Sequence, residues 1–156
     1  YRDIFLYCRQ EKIPMVALNV PREITSKVAR EGFGALSPSE IGRLPPISCN
    51  VGKDYAEIMR RAHGHAGMSE AAFTHLCEAQ LVWDTAMALH AEAYLNANPG
   101  SHLVILAGAV HAWKKGIPAQ IWSLNARRSI VAIVPASGGR FQKEDVTVED
   151  ADYLLP

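Results

Sequence analysis

The sequence predicts an α/β fold, a mostly parallel sheet with flanking helices and a helical lid or subdomain at about residues 50–96. Near-continuous apolar runs occupy residues 13–20, 102–108 and 129–136, a pattern typical of strands covered on both faces. Helical patterns alternate with these runs, as in parallel sheets with helical connections. The connection between the first two runs is far longer than one crossover needs, and this predicts the subdomain.

Helical periodicity and breakers give the remaining elements in order. Pro21 suits the first turn of a helix that ends near Gly32, and "NPG" ends the longest helix. Helices are predicted at residues 1–12, 21–33, 52–62, 69–96 and 117–125. Three strands are few for such a sheet, and the chain opens on "YRDIFLYCRQ" without an initiator Met. We therefore expect residues 1–156 to form a single domain whose N-terminal part is missing.

Composition excludes several classes of function. Sixteen basic and sixteen acidic residues cancel, so nothing favours binding to nucleic acid. No run of 18 apolar residues predicts a transmembrane segment. Three cysteines match no zinc or redox spacing, and no C-x-x-C-H, P-loop, G-x-G-x-x-G, G-x-S-x-G or H-E-x-x-H is present. The common nucleotide-binding, serine-hydrolase and zincin functions have no support.

The stretch "CEAQLVWDTAMALH" places Gln80, Trp83 and Asp84 on or beside the packed surface of the longest predicted helix. A buried amide or carboxylate without a partner is costly, so these groups need hydrogen bonds. In one interpretation they bind backbone groups of neighbouring loops. In the other they line a cleft, where Asp84 orients a histidine.

Further candidate residues follow the predicted strands. Gly108 and His111 come directly after the strand at 102–108, where ligands bind in open α/β sheets. Asn19 ends the first strand in the same way, although it also suits a simple turn before Pro21. Both residues could instead have purely structural roles, because His111 could cap a loop and Asn19 could organise a turn.

Histidines and tyrosines elsewhere are weaker candidates. His63 and His65 in "HGHAG" are placed to contact a ligand or metal from the subdomain, or to lie in a solvated turn. Tyrosine phenolate can ligate ferric haem, although packing or exposure is the default for each tyrosine considered: Tyr1, Tyr7, Tyr55 and Tyr94.

Three blocks of the sequence together resemble the C-terminal part of the domain of the ChaN-like haem-binding uptake proteins, in the Tiki superfamily. They are "IPMVALNVPREITSKVAREG", "FTHLCEAQLVWDTAMA" and "VILAGAVHAWKKGIPAQI", and the resemblance runs from about residue 1 to 134. The specific parts are A-Q-x-x-W-D-x-x-M-A, from Ala79 to Ala88, and G-x-x-H followed by G-I-P, from Gly108 to Pro118.

The resemblance implies an α/β core with a helical subdomain and, in some members, haem binding linked to iron uptake without chemistry of its own. It also implies a lipid-anchored protein on the periplasmic side of the bacterial cell envelope, with the anchor upstream of this chain. Haem in this family is held by a tyrosine, with a histidine from a second subunit near the propionates, so a homodimer is implied. Tyr1 is the residue that we match to this tyrosine, because it begins the Y-R-x-I block.

The wider superfamily implies an alternative, a metal-dependent hydrolase (a peptidase or esterase). Its sites combine an upstream G-E-x-H segment with a downstream G-x-x-H, and here only Gly108 and His111 match. In that alternative, His111 oriented by Asp84 or Gln80 acts as base or as ligand of a divalent metal. A domain that keeps the fold without either activity is the third alternative.

Overall fold

The computed structural model describes residues 1–63, 67–136, 144 and 146–156 and is dominated by helices. The α-helices are α1 (Arg2–Gln10), α2 (Arg22–Glu31), α3 (Pro38–Ile41), α4 (Lys53–His63), α5 (Glu70–Ala97), α6 (Ala109–Ala112) and α7 (Ile117–Leu124), with a 3₁₀ turn at Phe33–Ala35. The five predicted helices are therefore confirmed within two residues at each end. The division into a main domain and a subdomain at 50–96 stays a prediction.

Helix α5 runs through the centre of the protein. It begins where the Ser69 hydroxyl accepts a hydrogen bond from the Ala72 N–H at 3.2 Å, and it packs against α2 and α7. Its two apolar sides contribute to separate parts of the core, with Phe73 and Cys77 in one cluster and Val82 and Ala86 in another. A helix apolar on most sides is buried on most sides, which explains how its polar residues come to lie in the interior.

The sheet is smaller than predicted. Strand β1 (Ile133–Pro135) falls within the predicted strand at 129–136 and pairs in parallel with β2 (Tyr153–Leu155), which the sequence did not predict. The described parts of the chain contain no strand at 13–20 or 102–108. A helix-rich α/β fold with parallel pairing is therefore present, but a mostly parallel sheet is not shown.

The apolar run at 102–108 is covered on one side only. Leu103, Ile105 and Ala107 pack against the core cluster that contains Met87, whereas Val104 and Leu106 between them are 82% and 55% exposed. Its residues 102–107 make no backbone–backbone hydrogen bond to any described residue. Alternation of this kind is typical of an extended strand with one packed face, so the expectation of burial on both faces was wrong here.

Charged side chains attach the C-terminal segment to the helices. Both Nη atoms of Arg61 on α4 donate to Asp150, at 3.0 and 3.1 Å, and Lys114 Nζ lies 2.7 Å from Asp152 Oδ1. The Asp152 Oδ2 accepts the Ala132 N–H at 2.8 Å, immediately before β1. These contacts bring β2 beside β1. In the described residues, no helix is long and apolar enough to cross a membrane.

Candidate functional site: a buried Asp–His pair beside an apolar cavity

Asp84 lies fully buried at the middle of α5 and uses both carboxylate oxygens. Its Oδ1 lies 2.6 Å from His111 Nδ1, and its Oδ2 accepts the hydroxyl proton of Tyr55 at 2.6 Å. Tyr55 reaches it from α4, where Tyr55, Ile58, Met59 and Ala62 form the buried face at helical spacing. The polar side chain that the sequence places inside the protein is therefore hydrogen-bonded at both oxygens, as a buried carboxylate must be.

The buried surroundings shift the ionisation of this group. Burial raises the pKa of Asp84 above its usual value, and the hydrogen bonds from His111 and Tyr55 oppose that rise. Burial and the adjacent Asp84 charge raise the pKa of Tyr55 far above its usual range. Tyr55 therefore keeps its hydroxyl proton and serves as a donor, which excludes it as a phenolate ligand.

The backbone around His111 is compact. Helix α6 is a single turn that begins after Gly108 and carries His111 next to α5. A Cβ on Gly116 would lie 2.6 Å from the His111 carbonyl oxygen, so a side chain at position 116 would displace the His111 loop. The imidazole also meets the Trp83 ring edge to face, with ring centroids 5.8 Å apart and planes at 88°. The distance in sequence from G-x-x-H to G-I-P thus places Gly116, which has no side chain, against the backbone of His111.

An apolar cavity of about 1130 Å³ opens beside His111. Its walls are α1, the segments 13–19 and 101–108, and one side of α5 from Trp83 through Met87 to Tyr94. Trp83 and Tyr94 are eleven positions apart on the same α-helix, which makes this wall roughly 16 Å long. Its volume is at or above the upper end for small-molecule sites, which are mostly apolar with a few polar groups.

The cavity contains several groups able to bind metal or carboxylate. These are the phenols of Tyr1, Tyr7 and Tyr94, the imidazoles of His102 and His111, the Cys8 thiol and the Asn19 amide. Helix α1 forms its outer wall without burying any residue, and Phe5 and Tyr7 on it remain 57% and 59% exposed. Apolar surface on both sides of the cavity is therefore left uncovered by the described chain.

The structure gathers some of the predicted site residues and separates others. Those that line the cavity are Tyr1, Asn19, Trp83, Gly108 and His111. Asp84 lies behind His111. Gln80 is buried but does not line the cavity, and its Oε1 has no hydrogen-bond partner in the described structure. His63 is the last residue of α4 and does not line the cavity, and His65 lies outside the described residues.

Two contributions were missed by sequence reasoning. For Tyr55 the sequence offered packing, exposure or iron ligation but not the hydrogen bond to Asp84, although its place on the apolar face of a helix indicated an inward phenol that needs a buried acceptor. His102 is exposed and also lines the cavity, which the sequence did not indicate. Within the described ranges, no three His, Cys, Asp or Glu side chains cluster as a metal site.

Together these features define a helix-rich α/β protein with an apolar cavity that is lined by a few polar or metal-binding side chains. The family described as "Haem-binding uptake, Tiki superfamily, ChaN" matches residues 1–121, and the chain belongs to this family. No curated protein and no solved structure gives a significant match. The matched range contains every wall of the cavity as well as Tyr55, Asp84 and His111.

Proposed function

We propose that this protein binds haem in the apolar cavity as part of iron uptake, with no chemistry of its own. The observation that carries the proposal is an apolar space of about 1130 Å³ with phenol and imidazole groups in its walls. A porphyrin is flat and apolar except for its iron and its two carboxylates. It needs an apolar slot, an axial ligand and donors for those carboxylates.

The residues present fit haem. Histidine and tyrosine are both established haem ligands, and the cavity offers Tyr1, Tyr7, Tyr94, His102 and His111. When bound, haem would supply the redox-active iron, while the chain would bind it and limit its contact with water. Filling the cavity would also bury the exposed ring of Phe5 and the side chain of Val104. That burial is favourable at about 25 cal/mol per Å² of apolar surface.

Haemin titration followed by visible spectroscopy tests the proposal. We expect a shifted Soret band that saturates, and a changed spectrum in one of three variants, Tyr1→Phe, Tyr7→Phe or Tyr94→Phe, if a phenolate is an iron ligand. Tyr153→Phe is the matched control, because Tyr153 is 61% exposed on β2 and does not line the cavity. Haemin spectra that do not change with protein concentration would contradict haem binding.

A charge placed in the cavity tests its location. Val104 lines the cavity and is 82% exposed, so Val104→Glu should fold normally. The added carboxylate should weaken haemin binding by about tenfold or more, because a like charge beside the haem carboxylates, left in an apolar site, costs over about 1.4 kcal/mol. Val148→Glu, at a position that is 75% exposed and outside the cavity, is the control. Equal affinities of the two variants would place the haem elsewhere.

The family also supports finer proposals about assembly and location. We propose a homodimer, a lipid-anchored location on the periplasmic side of the bacterial cell envelope, and a larger parallel sheet that includes residues 13–20 and 102–108. The exposed apolar side chains of α1 and of residues 102–108 support the dimer and the larger sheet. Sedimentation analysis tests the dimer, and cell fractionation tests the location. A monomer at all concentrations, with and without haemin, would refute the dimer.

The Asp84–His111 pair supports a second candidate function, a hydrolase. A histidine held by a buried carboxylate is a common arrangement for a general base or a metal ligand. Elemental analysis of the purified protein tests this candidate. Stoichiometric zinc, manganese or another divalent metal would favour the hydrolase, whereas iron in the form of haem favours the first proposal.

A further inference from the structure

Helix α6, which carries His111 to the cavity, is too short to fix its own position. It has four residues and buries none of them. A single helical turn closes few backbone hydrogen bonds and is unstable without tertiary contacts. The contact with Asp84, at 2.6 Å, holds the His111 ring. The backbone of the turn must be held through its neighbours in sequence, among them Trp113 and Lys114.

The C-terminal segment, residues 146–156, contacts Lys114 through both backbone and side chain. The Lys114 N–H donates to the Asp150 carbonyl oxygen at 2.8 Å, and its Nζ donates to the Val148 carbonyl oxygen at 2.7 Å. The same Nζ lies 2.7 Å from Asp152 Oδ1. The hydrogen bond from Lys114 is the main reason that the pKa of Asp152 lies below its usual value. A residue two positions after α6 therefore ties the turn to this segment.

Trp113 packs in the same region. Its side chain is 1% exposed and belongs to a core cluster that includes Ala151. The Arg61 guanidinium lies over the indole ring, 5.3 Å from the centroid, and both Nη atoms of Arg61 donate to Asp150. The two residues that follow α6 are thus attached to the C-terminal segment, one by packing and one by hydrogen bonds.

We propose that Lys114 is a positioning residue, which links the C-terminal segment to α6 and thereby sets the position of His111 at the edge of the cavity. A ligand that contacts His111 then binds more tightly when the segment is in place. Coupling of this kind is reciprocal, so the bound ligand in turn stabilises the segment. The link between Lys114 and His111 is independent of the proposed function, whereas its effect on haemin binding rests on that function.

Proton NMR of the haem-free protein tests this link. The His111 and Trp83 rings meet edge to face with centroids 5.8 Å apart, so the chemical shifts of the imidazole C–H protons depend on the position of His111 against the indole. Lys114→Met keeps the length of the side chain and removes the ammonium group. We expect the His111 ring protons to shift, while those of His90, whose Nδ1 lies 2.6 Å from the Leu18 carbonyl oxygen, stay unchanged. Unchanged His111 shifts in the folded variant would overturn the proposal.

Three further variants separate positioning from a general loss of stability. Lys114→Arg keeps a cation that can donate to Asp152 and should restore the wild-type His111 shifts. Asp152→Asn removes the charge at the other end of the contact and should move the His111 shifts in the same direction as Lys114→Met. Lys115→Met is the matched control, since Lys115 is also partly buried but does not bind Val148 or Asp152. Equal shifts in the two methionine variants would overturn the role of Lys114.

Haemin titration and hydrogen–deuterium exchange test the coupling to the cavity. Lys114→Met should weaken haemin binding about fivefold, the lower end of the usual range for coupling between sites, and Lys114→Arg should not. Haemin should in turn slow the exchange of the Asp152 and Tyr153 amides, which both donate to the Ala132 carbonyl oxygen. Equal haemin affinities of wild type and Lys114→Met would overturn the coupling. If the wild type does not bind haemin, the proposed function is overturned, and the NMR result alone decides whether Lys114 positions His111.

Discussion

Replacing Asp150 with asparagine tests how firmly the C-terminal segment is fixed to helix α4. The Asp150 side chain is 3% exposed and accepts hydrogen bonds from both Nη atoms of Arg61. It also accepts the N–H and the hydroxyl of Thr147, at 2.9 and 3.0 Å. Helix α4 carries Tyr55 as well, so the same helix links this ion pair to the Asp84–His111 pair.

We expect Asp150→Asn to lower the free energy of unfolding by about 2 kcal/mol. A hydrogen bond to a charged group contributes about 1.5–3 kcal/mol, and the asparagine oxygen still accepts from Thr147. Arg61 is 40% exposed, so solvent screening keeps the loss below that of a fully buried ion pair. For a chain of this length, the thermal midpoint should fall by about 4–8 °C.

The loss should depend on pH. Burial raises the pKa of Asp150, but hydrogen bonds from Arg61 and Thr147 outweigh it and hold the pKa below its usual value. The ionised carboxylate therefore stabilises the fold above the unfolded-state pKa, near pH 4, and this contribution is lost as the pH falls through the lower, folded-state value. The difference between Asp150→Asn and wild type should be greatest at neutral pH and should disappear in acid.

Urea unfolding of both proteins from pH 7 to pH 2.5 measures this effect. Glu23→Gln is the matched control, because Glu23 makes an exposed ion pair with Arg43 at 2.6 Å, and we expect little change in stability. A difference for Asp150→Asn that stays constant over the whole pH range would show that ionisation of Asp150 is not involved. Equal effects at positions 150 and 23 would show that burial of the ion pair does not matter.

Two further predictions concern stability. Ser37→Ala should cost about 1 kcal/mol in urea unfolding, since the Ser37 hydroxyl caps α3 by accepting the Glu40 N–H at 3.3 Å, and Ser37→Thr, which keeps a hydroxyl, should cost less. Equal losses would exclude a capping role. Met59→Ala should cost about 2–5 kcal/mol because Met59 is fully buried, whereas Met68→Ala, at a position 36% exposed, should cost much less. A small loss for Met59→Ala would show that the surrounding core closes over the space.

Helices were predictable from sequence because each has a local signal. Proline at the start and glycine after the end bound α2, and the long apolar pattern from position 69 defines α5. The sheet depends on contacts between distant parts of the chain. The apolar runs at 13–20 and 102–108 indicate strands, but their residues do not indicate which other strand each would pair with. Strand β2 lies in a charged tail and forms because Asp150 and Asp152 bring it to β1, which no periodicity indicates.

The site was partly predictable for a similar reason. A carboxylate on the packed side of a helix needs a partner, and His111 after an apolar run was a reasonable choice; the structure places the two 2.6 Å apart. The sequence placed Gln80 and Asp84 together on the packed side of the helix, yet in the described structure both Asp84 oxygens are hydrogen-bonded and the Gln80 Oε1 has no hydrogen-bond partner. The role of Tyr55 depends on how α4 packs against α5, and a residue pattern does not give the angle between two helices.

The backbone of residues 102–107 has a measurable consequence in hydrogen–deuterium exchange. Its amides lack backbone partners among the described residues, so in this arrangement they should exchange rapidly, whereas those at the middle of α5 should be among the slowest of the described residues. Pairing of residues 102–107 in the proposed larger sheet would instead protect them. The backbone N–H and C=O groups of residues 102–107, which have no backbone partner among the described residues, lie beside the exposed side chains of Val104 and Leu106. Such a segment can pair with strands of other chains, as happens in aggregation. Aggregation of the purified chain should therefore rise with its concentration, and protection of these amides should rise with it.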